Sequence, residues 1–377
     1  MLLVLVNPVC GDKSAAAFFA AHVVPRLNEH TAVHVQTTSA GHAGRVVVEH
    51  ATRPLTLVLG SGDGTLHDIL NALHAASITT PVHFVLVPCG TANALYSSLF
   101  PPPPVPDLAY KLQSLHAFLQ NKATTTLLSL ATTTISAQNA PVSTSIASVV
   151  VSTALHASIL HDSEALRERH PGIERFKLAA QQNSTKWYNA RLNLTPSSLG
   201  FVQIYNPSSK SLIPHPDSSN DSPAVEIQGP FAYFLSTVNV DRLEPAFRIA
   251  PLARAIPPSA PAFDIVVLRP LRDPTIHQDT PDARSSFVAK TWKVLGGAYQ
   301  DGQHVEFVYT EQGDIASGVH GVSVIEYFRC GGWQWTPDDA DPDAHLVCSD
   351  GAISTIPPHG KATAAVDTFS HHFSVYN

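Results

Sequence analysis

The sequence predicts an α/β first domain on a parallel sheet, followed by a mainly β-sandwich second domain, and three observations carry that reading. The chain has 377 residues, more than a single hydrophobic core usually serves, so two domains are expected. Residues 1–122 alternate short apolar runs with helical patterns, the signature of a layered α/β domain. Beyond residue 122 the texture changes to Thr-, Ser- and Val-rich runs broken by turn residues, which favour strands.

The first apolar run, residues 2–6, is a buried strand, and residues 14–27, with Ala and Phe recurring, form a helix. Residues 32–38 make a second strand, 41–50 a helix, and 55–59 a third strand ending at Gly-Ser-Gly-Asp-Gly. A helix over 65–76 and a fourth strand over 82–87 follow. Three polar, glycine-containing loops (7–13, 60–64 and 88–93) thus come after strand C-termini. Such loops gather at one edge of a parallel sheet, where open α/β folds bind ligands. Residues 101–106, five of them proline, cannot continue a helix and read as a stiff connector. One more helix, 107–121, closes the domain. In the second domain, 123–377, residues 162–182 are helical with a break at Pro171, while 207–223 and 270–285 read as surface loops.

Bulk properties narrow the function. Charged residues are 14% and hydrophobic ones 44% of the chain, which describes a globular protein and not a polyelectrolyte. A net charge of -7 argues against a nucleic-acid partner. Cys10, Cys89, Cys330 and Cys348 show no CxxC pairing and are too few for a disulfide framework, so a reducing, cytoplasmic compartment is expected. The opening residues run straight from strand to turn, unlike a signal peptide, and no run reaches the ~18 apolar residues of a membrane span. The oligomeric state is not readable.

The richest stretch is 57–73. Here a strand delivers Asp63 into a turn whose neighbours Gly60, Gly62 and Gly64 lack a β-carbon, so a phosphate or hydroxyl can approach the backbone. A helix begins just after, and its free N–H groups favour an anion. A lone loop of this kind is more often a tight turn; two further loops of the same character strengthen the case. Asn7 and Gly11 follow the first strand, and Gly90, Thr91 and Asn93 follow the fourth. None fits the GxxxxGK[ST] phosphate loop.

NPVCG, GSGDGTLHDILNAL and PCGTANAL resemble, in order and spacing, the three nucleotide-site motifs of the diacylglycerol kinase catalytic domain, and TTSAGHA is similar to a fourth. Residues 158–180 resemble the sphingosine and ceramide kinase segment that carries two nucleotide-contacting arginines, which fall at Arg167 and Arg175. CSDGAISTIPPHG resembles their closing motif, with Asp350 and Gly351 at the active site. The resemblance implies an ATP- and Mg2+-dependent lipid kinase that visits a membrane surface transiently, soluble or peripheral to it. Asp63 would be the base. Asn7, Pro8, Val9, Gly11, Thr37, Asp68, Gly90, Thr91, Ala92, Asn93, Arg167, Arg175, Asp350 and Gly351 would bind nucleotide. Ser61, Gly62, Gly64 and Asp162 would meet the lipid, and Asp350 would hold the metal.

The chemistry agrees: transfer to an alcohol needs a carboxylate to take or orient the hydroxyl proton, and charge neutralisation at the triphosphate. Residues 1–122 hold six basic and six acidic side chains, so backbone N–H groups, Mg2+ and second-domain arginines would share that work. Several positions depart from the family pattern. Cys10, Asp12 and Lys13 stand in the glycine-rich first loop, Asp68 replaces a glutamate and Ala352 replaces the closing glutamate. Leu160 stands where sphingosine kinases carry an aspartate that reads the lipid amine, which leans toward neutral acceptors such as ceramide or diacylglycerol unless Asp162 substitutes. Without the resemblance Arg167 and Arg175 would be a solvated helix face, Asp162 and Ser163 a helix cap, and Cys10 and Cys89 merely small residues. A metabolite kinase resembling NAD kinase, or a regulator without turnover, remains open.

Overall fold

The computed structural model describes residues 1–120, 124–138, 140–170, 172–367 and 372–377. The first-domain strands are β1 (Leu2–Val6), β2 (Ala32–Gln36), β3 (Leu55–Ser61) and β4 (Val82–Pro88), interleaved with α1 (Ala15–Phe18), α2 (His42–His50) and α3 (Asp63–Ala75). α1 runs on through a π turn and a 3-10 turn to Leu27. After β4 come α4 (Ala94–Leu99), α5 (Leu108–Lys111) and α6 (Gln113–Leu119). β1 pairs in parallel with β2 and β3, and β3 in parallel with β4. Strand side chains alternate between the two faces of the sheet. Leu3, Leu5, Leu57, Leu59 and Phe84 accordingly pack with Ile69 and Leu70 of α3 on one face, while Val4, Val6, Val58 and Val85 pack with Phe19, Val23 and Leu115 on the other. A strand buried on both faces reads as continuously apolar, which is why the sequence located β1, β3 and β4; β2, at the sheet edge, is partly exposed.

β5 (Thr125–Leu127) joins the first sheet, and the second domain opens with β6 (Leu130–Ala137), β7 (Ala140–Ala147) and β8 (Val150–Thr153), then α7 (Ala154–Ala165) and α8 (Glu174–Asn183). β9 (Ala190–Thr195), β10 (Gln203–Asn206), β11 (Ser211–Pro214), β12 (Val225–Gln228) and β13 (Tyr233–Thr237) precede α9 (Leu252–Ala255) and β14 (Phe263–Leu268). α10 (Pro281–Tyr299) follows, then the short β15 (Val308–Tyr309), β16 (Ile315–Ala316) and β17 (Val322–Ser323). The chain ends with β18 (Ile325–Cys330), β19 (Gly332–Pro337), β20 (Leu346–Ser349), β21 (Ala352–Thr355), β22 (Gly360–Asp367) and β23 (Phe373–Tyr376). An eight-stranded sheet, β11-β10-β18-β14-β13-β8-β20-β21, stacks on a six-stranded one, β12-β9-β19-β22-β6-β7. Trp333 and Trp335 of β19 join the layers, with ring centroids 5.1 Å from Phe234 and 4.8 Å from Phe231. Their indole N–H groups donate to Ser236 Oγ at 3.0 Å and to the Ala344 carbonyl at 2.9 Å. The α/β domain with a β-sandwich companion is thus the architecture the sequence predicts.

Five details differ. The helix expected over 107–121 is two short ones, α5 and α6, parted at Leu112. α7 begins at Ala154, eight residues before the predicted start, so Asp162 and Ser163 lie in its last turns and cap no N-terminus. The segment read as a loop over 207–223 contains β11, paired with β10. The other such segment, 270–285, runs into α10, whose N-cap Thr280 accepts from Ala283 N and which starts on Pro281, a start signal that was readable. Finally β23 returns to the first sheet, parallel to β4 and antiparallel to β5. The first sheet is therefore completed by the last residues of the chain.

Candidate active site

The three loops meet as the parallel sheet requires. Asn7 N donates to the Gly60 carbonyl at 2.9 Å, and Cys89 N donates to the Ser61 carbonyl at 3.0 Å. The Asn7 side chain donates from Nδ2 to Thr65 Oγ1 at 3.0 Å, tying the first loop to the start of α3. Gly62 and Gly90 lie back to back: a β-carbon on Gly90 would fall 2.5 Å from Gly62 Cα, and one on Gly62 would fall 2.9 Å from Gly90 Cα. Only glycine permits that approach. Around Gly64, by contrast, a β-carbon meets nothing within 4 Å, so the first turn of α3 is open to an incoming group.

Within the third loop, Asn93 adopts a left-handed φ of 54°. Its side chain accepts from Gly90 N at 2.9 Å and donates to the Gly90 carbonyl at 2.8 Å, a local turn that holds the loop and launches α4. Thr91 is exposed and Ala92 half-buried. The first loop turns at Gly11 and Lys13, with φ of 52° and 66°. Pro8 is half-buried and Val9 exposed beside Asn7, and buried Thr37 donates its N–H to the Val6 carbonyl at 2.9 Å, at the same sheet edge.

Asp63 is the first residue of α3, and its carboxylate faces α4: Oδ2 accepts from Ala94 N at 2.7 Å and Oδ1 from Leu95 N at 3.2 Å. It lines a cavity of about 20 Å³ with Ser61, Gly62, Leu66, Asn93 and Tyr96. Burial pushes its pKa up to about 6, the two N–H donors oppose that rise, and the charge of Asp350 adds to it. A carboxylate poised near neutrality can take a proton from an alcohol and release it again.

Asp350 and Gly351 come back to this place on the β20–β21 hairpin, a two-residue turn with φ of 47° and 95°. Asp350 Oδ2 accepts from Ser148 N at 2.7 Å, and Oδ1 accepts from Val149 N at 3.0 Å and Val150 N at 2.8 Å. This carboxylate anchors backbone. Three N–H donors and 8% exposure leave it little capacity for the metal expected of it. Among the described residues no group of three His, Cys, Asp or Glu side chains is placed to hold a metal ion.

The remaining second-domain residues are near one another, and among the described residues no hydrogen bond or ion pair joins them to the loops. Arg167 pairs with Glu164 at 2.7 Å on an exposed face. Arg175 stacks over Phe176 at 4.6 Å, its Nε is buried without a partner, and burial together with neighbouring Arg167 lowers its pKa. Asp162 Oδ2 accepts from Asn183 Nδ2 at 2.7 Å, and its Oδ1 lies 2.7 Å from His161 Nδ1. It fastens α7 to α8. Leu160 faces the closing hairpin, its Cδ1 3.9 Å from a β-carbon built on Gly351. Asp68 is exposed and sits beside α2, where its carbonyl lies 3.0 Å from a β-carbon built on Gly44. Burial raises the Cys10 thiol to about 11 and the Cys89 thiol to about 12, so both are inert thiols at neutral pH, as small packing residues are.

Sequence reasoning passed over three residues. His67 Nδ1 lies 3.6 Å from Asp350 Oδ2. The Asn71 side chain makes a two-way bond with the backbone of Ile146, donating to its carbonyl and accepting from its N–H, both at 2.8 Å. Asn239, with φ of 62°, donates to the carbonyls of Ser129 and Ser148 at 2.7 and 2.9 Å. For His67 and Asn71 a signal existed: they follow Asp63 at steps of four on one helix, so they share its face.

Residues 1–125 match the family model of the diacylglycerol kinase catalytic domain. No curated protein matches the chain in sequence. Solved structures of similar fold include a diacylglycerol kinase from Bacillus anthracis, 14% identical, with a TM-score of 0.52 over 100% of this chain and 96% of that one. A candidate diacylglycerol kinase from the same organism, 13% identical, has a TM-score of 0.55 over 100% and 95%. At such identity the likeness is one of fold, and it extends across both domains. Over residues 1–125, then, this chain carries the sequence pattern of a diacylglycerol kinase catalytic domain, set within the two-domain fold of those bacterial proteins.

Proposed function

We propose that the chain is an ATP-dependent kinase of a lipid hydroxyl, with Asp63 as its general base. The observation that carries this reading is the Asp63 carboxylate, held by two helix N–H groups beside an open glycine turn, with its pKa pushed up to about 6. In the ionised form it accepts the acceptor hydroxyl's proton as the oxygen attacks the γ-phosphorus in line. Glycine-lined turns at the ends of β1, β3 and β4 bring backbone N–H groups to the phosphates; Asn7, Asn93 and Thr37 shape those turns. Mg2+ would neutralise triphosphate charge, held chiefly by the phosphates themselves. Arg167 and Arg175, on the segment packed beside the closing hairpin, complete the neutralisation from the second domain.

The acceptor is a neutral lipid such as ceramide or diacylglycerol in preference to a sphingoid base. Leu160 offers no charge, and Asp162 is spent on Asn183 and His161, so a cationic head finds no partner. Among the described residues no helix is long and apolar enough to cross a membrane. The lipid would be met by transient contact with a membrane surface from the cytoplasm.

A lipid-class screen with purified protein, ATP and Mg2+, read by mass spectrometry, tests this. Phosphate on ceramide or diacylglycerol is the expected result. Phosphate on NAD alone would establish a metabolite kinase, and no transfer to any alcohol would establish a regulator, the reading that Ala352 and the engaged Asp350 favour.

A further inference from the structure

Asp63, His67 and Asn71 form one stripe along α3, each a helical turn beyond the last. The stripe faces the second domain. Its far end grips the Ile146 backbone in both directions at 2.8 Å. Asn71 Nδ2 also donates to the His67 carbonyl at 2.9 Å, which ties its amide to its own helix. At mid-stripe the His67 ring, a buried polar group, stands 3.6 Å from Asp350 Oδ2. Asp350 in turn holds the N–H groups of residues 148, 149 and 150. The same short piece of backbone, 146–150, is thus fixed from α3 directly through Asn71, and the carboxylate that braces it lies beside His67, just beyond hydrogen-bond length. At the near end of the stripe Asp63 holds Ala94 and Leu95.

We propose that His67 and Asn71 are positioning residues which set the second domain, through backbone 146–150 and the Asp350 hairpin, at a fixed distance from Asp63. This rests on the lipid-kinase reading for its catalytic consequence, though not for its geometry. Neither side chain lies in the glycine loops or contacts their backbone, so nucleotide binding is not their task. What they govern is whether an acceptor carried by the β domain arrives at the carboxylate within the few tenths of an ångström that proton and phosphoryl transfer require.

The test uses the full chain with Asn71→Ala, Asn71→Asp, His67→Leu and His67→Gln. Two readouts are taken: steady-state kinetics with ATP and the acceptor lipid, and amide hydrogen exchange at Ala94, Leu95, Ile146, Val149 and Val150. Asn71→Ala and His67→Leu are expected to lower kcat at least tenfold with the KM for ATP changed less than twofold, and to speed exchange at 146–150 while residues 94 and 95, held by Asp63, exchange as in wild type. Asn71→Asp keeps the acceptor for Ile146 N, and His67→Gln keeps a polar group toward Asp350; both should recover part of kcat. Unchanged exchange at 146–150, or a KM for ATP that rises as melting temperature falls, overturns the proposal. Should Asn71→Ala fail to fold, the Asp and Gln variants decide it on the same measurements. An inactive wild type would defeat the kinase reading and leave the exchange result to judge this one.

Discussion

The same dipeptide, Asp-Gly, stands at both ends of the candidate site and does opposite things. At 63–64 it opens a helix, and its carboxylate is held by two N–H groups in a cavity beside an open glycine. At 350–351 it closes a hairpin with both φ angles positive, and its carboxylate is consumed by three backbone N–H groups. Asp350 is buried and Asp63 half-buried, yet the first braces three backbone N–H groups while the second lines a cavity. Chemistry here follows the surroundings of a side chain, not its identity.

Substitutions at the two turns should separate these roles. The largest effect belongs to Asp63→Asn, which is expected to lower phosphate transfer about 10²–10⁴-fold without lowering the melting temperature. Because folding raises this carboxyl from 3.8 to about 6, the folded state binds more protons between those values, and wild-type stability falls as pH rises through them. Asp63→Asn should lack that fall, and wild-type kcat should rise with pH through about 6; melting curves and a pH–rate profile check both. Next comes Asp350→Ala, which strands three buried N–H groups and should cost on the order of 3 kcal/mol in urea unfolding.

Gly90→Ala presses a β-carbon to 2.5 Å of Gly62 Cα and should cost about 1–3 kcal/mol, with a raised KM for ATP. The smallest contrast is the most direct one. Gly351→Ala forces alanine to a φ of 95° and should cost about 1–2 kcal/mol, whereas Gly64→Ala, on a helix in open space, should stay within about 0.5 kcal/mol. Equal costs at the two glycines would erase the distinction.

The sequence made the first domain readable because its signals are local. LLVLV and VHFVLV are apolar on both faces and end in glycine turns, so strand, loop and sheet edge follow from neighbours alone. Asp63 stands out in the sequence for the same reason. The use of Asp350 was not legible, since the N–H groups it satisfies lie about 200 residues away in sequence. Nor was the start of α7, where Ala154 takes a left-handed φ of 53° that alanine disfavours; tertiary packing of a fully buried residue imposes it. α10 was missed differently: Thr280, Pro281 and Asp282 announce a helix, but the prolines just before them suggested a loop. Arg167 and Arg175 show the limit of a resemblance, which singles them out and leaves their neighbours, Glu164 and the Phe176 ring, unspecified.

β23 has a consequence for biosynthesis. It fills the sheet between β4 and β5, and Ser114 Oγ clasps the Tyr376 carbonyl at 2.7 Å while receiving Leu86 N at 3.0 Å. The first domain is made first on the ribosome yet stays one strand short until residues 373–376 are translated. Through that interval the flank of β4 lies bare, a template for pairing with other nascent chains. A fragment cut at residue 125 inherits the same exposed flank for good.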